Sequence, residues 1–393
     1  MSSFINLIIE IKFIRIIIIA SIVIIGMTSC IDEYWPALDK YEHVLVVDGL
    51  LNNGDNPVLI NLSYSSGLDT QLIEPVIGGE LYILDENQLE TPLIETEPGT
   101  YVAADSDFKG VVGKSYQLHI HLSNGQDYVS NLCSLLTPSP IDSVYGIRET
   151  HASDVYNETE YGIQFYIDNH SDNINDTSYY IWRLTQTYKY MAAFTLDYLW
   201  EGEFIPYPNP DSLRTCWKTT TPPNIYLQST KYYDIPVLKQ IPLNYVSTET
   251  KALSIRYSLH VKQLTVSKDT YDFYNILQQQ NADQDNLYSK QPYQVRGNVV
   301  NINNPDEPVL GYFIVAGVTE KRIYIKRPVL EFHYYVCDPD VESMYYIRWE
   351  PKYKWPIYIT VTENGAMAMA PRRSCFDCQK EGGTLTRPDF WLD

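Results

Sequence analysis

Short segments in which apolar and polar residues alternate recur through residues 43–132 and predict β-strands. The clearest of these segments cover residues 43–51, 58–64, 80–84, 115–122 and 127–132. The last two flank residues 123–126, where Asn124-Gly125 predicts a tight hairpin turn. Strands at this spacing predict an N-terminal β-sandwich domain, immunoglobulin-like or transthyretin-like, over residues 43–137.

The alternating pattern continues more irregularly after residues 136–141, whose two prolines mark the predicted domain boundary. A larger β-rich domain is predicted over residues 138–393, with strands at 141–150, 161–168, 178–188 and 253–264 and a hairpin of strands 309–318 and 322–326. Residues 268–280 instead predict a helix, because Ser267 can cap it and an apolar stripe includes Tyr271 and Tyr274. The predicted fold class is mainly β with one clear α-helix.

The first 29 residues have the pattern of a signal peptide rather than of a folded element. Lys12 and Arg15 precede the apolar run 16–26, and small polar residues follow it up to Ser29. That run is too short for a membrane span, which needs about 20 residues. Ser29-Cys30 resembles the cleavage site of a bacterial lipobox, which predicts cleavage before Cys30 and attachment of fatty acyl chains, such as palmitate, to it.

Two alternatives to the lipobox remain open, an ordinary secretory signal with a chance cysteine and an uncleaved anchor. Residues 30–42 are predicted to be a membrane tether. They carry Asp32 and Glu33, which resemble the acidic surface-export signal of Bacteroidota lipoproteins. This organisation predicts a lipid-anchored protein of the outer membrane, exposed at the cell surface.

Composition excludes one class of partner and favours another. With a net charge of −20, the chain lacks the excess of basic residues that binds the phosphates of nucleic acids. Tyrosine is abundant, with 34 residues against 11 phenylalanines, and tyrosine suits half-buried strands and wet binding surfaces. A ligand surface for a glycan or a peptide is one interpretation of the central aromatic residues, and a β-core is the other: Tyr179, Tyr180, Trp182, Tyr188, Tyr190, Tyr198, Trp200 and Tyr207.

Five cysteines remain once Cys30 is assigned to lipid, and export favours disulfides. Cys133 follows a predicted strand and is expected to be a buried free thiol. The other four are expected to pair with undetermined connectivity: Cys216, Cys337, Cys375 and Cys378. The spacing Cys375-x-x-Cys378 would also suit half of a zinc site or a redox motif, but a second ligand pair and a thioredoxin-like context are missing.

No motif in the sequence predicts catalysis. The signatures of serine, cysteine and zinc hydrolases, of nucleotide-binding loops and of dinucleotide folds are absent. His119 and His121 share one strand face, but two ligands are too few for a metal. The polar residues 168–176 do not follow an EF-hand pattern. We therefore expect no catalytic residue, metal or cofactor, although distant carboxylates could still form a hydrolase site.

Two tripeptides resemble the Asp-Ser/Thr-apolar signal for O-glycosylation of exported Bacteroidota proteins. They centre on Ser143 and Ser212. A strand edge and a turn are the structural alternatives at these two positions.

Several short motifs occur in an order that resembles a known family. They include 44–50 (VLVVDGL), 256–259 (RYSL), 303–313 (NNPDEPVLGYF), 318–325 (VTEKRIYI) and 387–391 (RPDFW). Together with the lipobox and the Cys375–Cys378 motif, they resemble the Bacteroidota outer-membrane lipoprotein family known as domain of unknown function 4249. The resemblance implies a lipoprotein that accompanies a TonB-dependent transporter of the SusC-like class and helps to capture a nutrient. An extracytoplasmic hydrolase and an adhesin or protein-binding module are the alternatives.

Overall fold

The computed structural model describes residues 44–55, 58–66, 73–152, 159–172, 177–283 and 295–392, which fall into one compact unit. The predicted signal peptide (1–29), its cleavage site at Ser29 and Cys30, and the tether (30–42) lie outside these residues. In the part of the chain that is described, no helix is both long and apolar enough to cross a bilayer.

The strands are β1 Leu45–Asn52, β2 Val58–Tyr64, β3 Glu74–Pro75, β4 Glu80–Asp85, β5 Glu90–Glu97, β6 Thr100–Ala103, β7 Ser115–His121, β8 Asp127–Ser130, β9 Cys133–Ser134, β10 Ile141–Ala152, β11 Thr159–His170, β12 Tyr179–Met191, β13 Tyr198–Trp200, β14 Phe204–Pro206, β15 Thr215–Thr220, β16 Tyr226–Ser229, β17 Val237–Ser247, β18 Arg256–Val266, β19 Val299–Asn301, β20 Leu310–Lys326, β21 Ile357–Val361 and β22 Met367–Ala368. One α-helix is described, α1 Lys268–Asp283. Short 3₁₀ helices cover Lys251–Leu253, Glu342–Trp349, Lys352–Lys354, Arg373–Cys375 and Cys378–Glu381. The prediction of a mainly β fold with one clear helix is confirmed.

A long sheet path connects the N-terminal and C-terminal parts of the chain. Its strand order is β15-β12-β18-β20-β1-β2-β6-β5-β4-β7-β8-β19. The two parts meet where β1 runs parallel to β20, with Leu51 opposite Val315. The core of the N-terminal strands consequently includes Phe313 and Val315 from the C-terminal part. The predicted boundary at residues 137 and 138 therefore lies within one compact unit.

The middle of this path is covered on both faces. The three-stranded sheet β10-β11-β17 shares a core with alternate residues of β12 and β18, among them Trp182 and Tyr257. Ile181 points to the opposite face, where it joins Phe273 of helix α1 in a second cluster. Successive residues of a strand alternate between faces, so β12 supplies both cores.

Two local predictions are confirmed and one is wrong. Helix α1 begins as predicted, and the Ser267 hydroxyl accepts a hydrogen bond from the Thr270 amide. The hairpin β7–β8 turns at Gly125, whose φ of 83° lies in the left-handed region. Residues 309–326, however, do not form a hairpin. Residues 310–326 form the single strand β20, because residues 317–326 pair continuously with β18; Glu320 lies mid-strand opposite Lys262.

Candidate functional site

The C-terminal segment is fastened to the rest of the protein by two disulfides. Cys378 bonds to Cys216 on β15, and Cys375 bonds to Cys337. The two cysteines of the C-x-x-C motif therefore bind two different partners, each at one of two successive 3₁₀ helices. The expectation that these four cysteines pair is confirmed, and the connectivity that the sequence left open is now defined. Neither a zinc half-site nor a redox dithiol remains at this motif.

Cys133 is a free thiol, as expected, but it is half-buried rather than fully buried. It lies in β9, where the Asn298 side-chain amide donates to its Sγ at 3.4 Å. Burial raises the pKa of the thiol, and the hydrogen bond from Asn298 opposes this effect in part. The thiol therefore has a smaller thiolate fraction near neutral pH than an exposed cysteine.

A pocket of about 240 Å³ lies beside the Cys216–Cys378 bridge, and we call it the basic pocket. Its lining combines four tyrosines with charged side chains: Tyr188, Tyr190, Lys218, Glu249, Thr250, Lys251, Tyr334, Tyr335, Arg372 and Glu381. The bridge helps to shape it, because Tyr190 packs against both cysteines and donates a hydrogen bond to the Cys378 carbonyl at 2.6 Å. Burial raises the pKa of Tyr188 and, to a lesser extent, so does nearby Glu381, so this phenol stays protonated.

The charges of the basic pocket are held by specific contacts. Lys251 Nζ pairs with the Glu381 carboxylate at 2.8 Å, and Lys218 Nζ donates to the Glu381 main-chain carbonyl at 2.7 Å. The Arg372 guanidinium lies over the Tyr335 ring, 4.3 Å from its centroid. Three basic and two acidic side chains line the pocket, so it carries a positive charge in an acidic protein.

A second feature is a group of exposed rings on the 3₁₀ helices Glu342–Trp349 and Lys352–Lys354. Tyr345, Tyr346, Trp349 and Tyr353 are 76%, 65%, 75% and 84% exposed, and we call them the aromatic surface. The rings of Tyr346 and Trp349 are 6.1 Å apart. Monomeric proteins rarely leave so many large rings in water, so a surface of this kind indicates an interaction site.

The backbone beneath the aromatic surface is anchored in two ways. Ile347 is buried against Trp200 and Ile359. Arg373, next to the bridged Cys375 segment, donates to the carbonyls of Lys354 and Pro356 at 3.0 Å each. Because Arg372 lines the basic pocket and Arg373 anchors the aromatic surface, the two features lie on neighbouring parts of the same segment.

The central aromatic residues singled out in the sequence form core rather than a ligand surface. Tyr180, Trp182, Tyr190 and Trp200 are buried, and the other four are half-buried. Tyr188 and Tyr190 do reach the basic pocket at its inner wall. Sequence reasoning missed the aromatic surface, although the ring-rich run 345–355 (YYIRWEPKYKW) carried a signal in its density of rings between charges.

The remaining candidate residues lie apart from these features. His119 stacks on Tyr82, and His121 pairs with Asp127. Among the described residues, no group of three or more His, Cys, Asp or Glu side chains could hold a metal ion.

The two candidate glycosylation sites and the polar loop also lie elsewhere. Ser143 is half-buried and donates to Asp168 at 3.0 Å, whereas Ser212 is exposed in a turn. Asp168 belongs to β11 rather than to a loop, and residues 173–176 of the predicted polar loop lie outside the described part. Glycosylation of the two serines stays a prediction.

Comparison with known proteins identifies one relationship. Residues 31–322, most of the chain, match the family model described as Domain of unknown function (DUF4249). This match confirms the resemblance to the DUF4249 family that was drawn from the sequence. No curated protein matches the chain. The aromatic surface and the Arg372 side of the basic pocket lie C-terminal to the matched residues.

Proposed function

The chain belongs to the DUF4249 family, and on that premise we propose that it is a ligand-capturing lipoprotein that partners a TonB-dependent transporter. In this proposal Cys30 carries the lipid anchor, the protein faces outward from the outer membrane, and the complex serves nutrient uptake. The lipobox and the family resemblance support the anchor, and the absence of a catalytic motif favours binding over turnover.

The observation that carries the proposal is the aromatic surface. Tyrosine and tryptophan dominate the energetics of protein interfaces, because they bury large areas at a small cost in conformational entropy. Trp349 is 75% exposed, whereas Trp182 and Trp391 are 2% exposed in the core. The buried Ile347 and the bridged segment anchor the backbone that carries these rings, which reduces the backbone ordering needed when a partner binds.

Copurification from outer membranes tests the proposal. We would tag the C-terminus, extract membranes gently and compare wild type with the double variant Tyr346→Ser/Trp349→Ser. Two interface hot spots each contribute about 2 kcal/mol or more, so the double variant is expected to bind roughly a thousandfold more weakly. A stoichiometric β-barrel partner that is lost in the double variant is the expected result.

The control variant is Tyr232→Ser, which removes a ring that is 85% exposed and outside the aromatic surface. It should keep the partner. A wild-type protein that is recovered alone would refute the transporter complex. Recovery of a different protein, dependent on the same rings, would favour the adhesin or protein-binding alternative.

The lipid anchor has its own test. Mass spectrometry of the mature N-terminal peptide should find acyl chains on Cys30, and Cys30→Ala should release the protein from the membrane fraction. An unmodified N-terminal peptide that begins elsewhere would exclude the lipoprotein part of the proposal.

One observation favours a second candidate, the extracytoplasmic hydrolase. Glu249 and Glu381 both line the basic pocket, and paired carboxylates are the usual machinery of glycoside hydrolysis. The Glu381 carboxylate is already engaged in an ion pair with Lys251. Incubation with aryl glucuronides distinguishes the hydrolase from the ligand-capturing protein. Turnover that Glu249→Gln abolishes would support the hydrolase. Binding without turnover would support ligand capture.

A further inference from the structure

We propose that the basic pocket binds a carboxylate-bearing ligand, with Lys218 and Arg372 receiving the carboxylate and the tyrosines packing against its body. This inference deepens the ligand-capture part of the proposed function and rests on it. It names the chemical class of the ligand, which neither the sequence motifs nor the family match supplies.

The cations of the basic pocket differ in how many hydrogen-bond donors remain available for a ligand. Lys251 is committed to the Glu381 carboxylate. Lys218 spends one donor on the Glu381 main-chain carbonyl, and an ammonium group has three donors. Two donors of Lys218 therefore remain for a ligand.

Arg372 is the second available cation. Its guanidinium stacks on Tyr335, which fixes the plane of the group but uses none of its five N–H donors. In the described part of the chain, neither Arg372 nor Lys218 forms an ion pair with an aspartate or glutamate, although acids outnumber bases by 49 to 29. The same pocket therefore presents a planar, pre-oriented guanidinium and an ammonium, and both groups suit a carboxylate.

The size and lining of the pocket define the rest of the ligand. Its volume of about 240 Å³ admits one compact unit, since small-molecule sites usually span about 300–1,000 Å³. Tyr188 and Tyr334 are half-buried, and Tyr335 is 48% exposed at the rim. Tyrosine rings pack on flat surfaces and leave their hydroxyls free for polar groups, so a sugar ring or a peptide unit fits this wall.

A carboxylate on such a unit can come from two sources, a sugar acid or a peptide C-terminus. The test uses one matched pair of probes for each source. D-glucuronate is compared with D-glucose, and N-acetyl-glycyl-glycine is compared with its C-terminal amide. Binding to the full-length mature protein in detergent is measured by saturation-transfer NMR and isothermal titration calorimetry.

The variants are Lys218→Gln and Arg372→Gln, with Lys109→Gln as the matched control. Lys109 is a half-exposed cation in the N-terminal part, paired only with the highly exposed Asp55 among the described residues. Thermal melting and the disulfide map establish that each variant is folded. Loss of one charged hydrogen-bond partner should weaken binding of the carboxylated probe roughly tenfold or more.

We expect at least one carboxylated probe to bind tenfold or more tightly than its neutral counterpart, with this preference lost in both pocket variants and kept in Lys109→Gln. The probe pair that shows the preference identifies the source. The inference is overturned if no carboxylated probe binds, if neutral probes bind equally well, or if the control variant loses as much affinity. Since no partner protein is present, these outcomes are independent of the transporter experiment.

Discussion

Removal of the Cys216–Cys378 bridge tests how the C-terminal segment stabilises the protein. The perturbation is the double variant Cys216→Ala/Cys378→Ala. Both cysteines are fully buried in a small cluster with Tyr190 and Ala192. Alanine is chosen because serine would bury two unpaired hydroxyls and add a cost unrelated to the bridge.

The sequence separation gives the magnitude of the effect. This bridge closes a loop of 162 residues, and in the chain-entropy model its removal costs about 5 kcal/mol at 25 °C. The Cys337–Cys375 bridge spans 38 residues and is expected to contribute about 4 kcal/mol. The loop closed by Cys337–Cys375 (the inner bridge) lies within the loop closed by Cys216–Cys378 (the outer bridge). Shortening the outer loop by 38 residues changes its closure entropy little, because this entropy depends on the logarithm of the loop length.

Urea unfolding followed by tryptophan fluorescence and circular dichroism measures both effects. The free energy of unfolding should fall by about 5 kcal/mol in the outer-bridge variant and by about 4 kcal/mol in Cys337→Ala/Cys375→Ala. Both variants also lose covalent support near the basic pocket and the aromatic surface. Because the outer bridge closes the longer loop, its removal should give the lower midpoint of urea unfolding.

Two results would refute this reasoning. One is an outer-bridge variant whose stability stays within about 1 kcal/mol of wild type, since the loop entropy would then not be recovered on unfolding. The other is a non-reducing peptide map in which Cys375 is joined directly to Cys378. Such a map would contradict the connectivity on which the calculation depends.

Other predictions concern single residues. Burial raises the pKa of Cys133, so native alkylation at pH 7 should be slow, should speed up towards higher pH, and should label no other described cysteine. Gly311→Ala should lower the free energy of unfolding far more than Gly125→Ala, which should lower it by about 1–2 kcal/mol. The φ angle is 83° at both glycines, but only at Gly311 would the new Cβ lie 2.1 Å from the Val47 carbonyl oxygen. Equal costs in urea would be inconsistent with this contact. Burial lowers the pKa of His260, and a nearby arginine lowers it further. Because the neutral imidazole is favoured in the folded state, His260 contributes stability above about pH 6.5, and this contribution is lost as the pH falls. His260→Gln should reduce the loss of stability between pH 7 and 5.

Local signals in the sequence predicted local structure well. The cap at Ser267 and the apolar stripe of α1 were enough to predict the helix from local sequence. The Asn124-Gly125 pair likewise specifies the β7–β8 turn, because glycine adopts a positive φ without a steric cost.

Charges and long-range pairing were harder to interpret. Residues 319–321 (Thr-Glu-Lys) suggested a turn, but they lie within β20, which pairs continuously with β18 over residues 317–326. The parallel pairing of β1 with β20 joins distant parts of the sequence, such as Val46 and Leu310. No local pattern encodes such a contact, so the sequence did not predict that one sheet path joins the two parts of the chain.

In the candidate site, too, local sequence predicted some features, whereas others depend on long-range contacts. Export and cysteine number predicted which cysteines pair, but the nested connectivity of Cys375 and Cys378 depends on three-dimensional proximity. Aromatic residues with strand-like alternation proved to be core. The exposed rings lie instead on 3₁₀ helices of eight and three residues, which are too short for a repeating sequence pattern to reveal them.

Site-specific photo-crosslinking in intact cells tests the central claim most directly. A photoreactive amino acid replaces Tyr353, which is 84% exposed on the aromatic surface, or Tyr232, which is 85% exposed outside it. We predict an adduct with a TonB-dependent β-barrel from position 353 and none from position 232. No adduct from position 353, or equal adducts from both positions, would contradict docking through the aromatic surface.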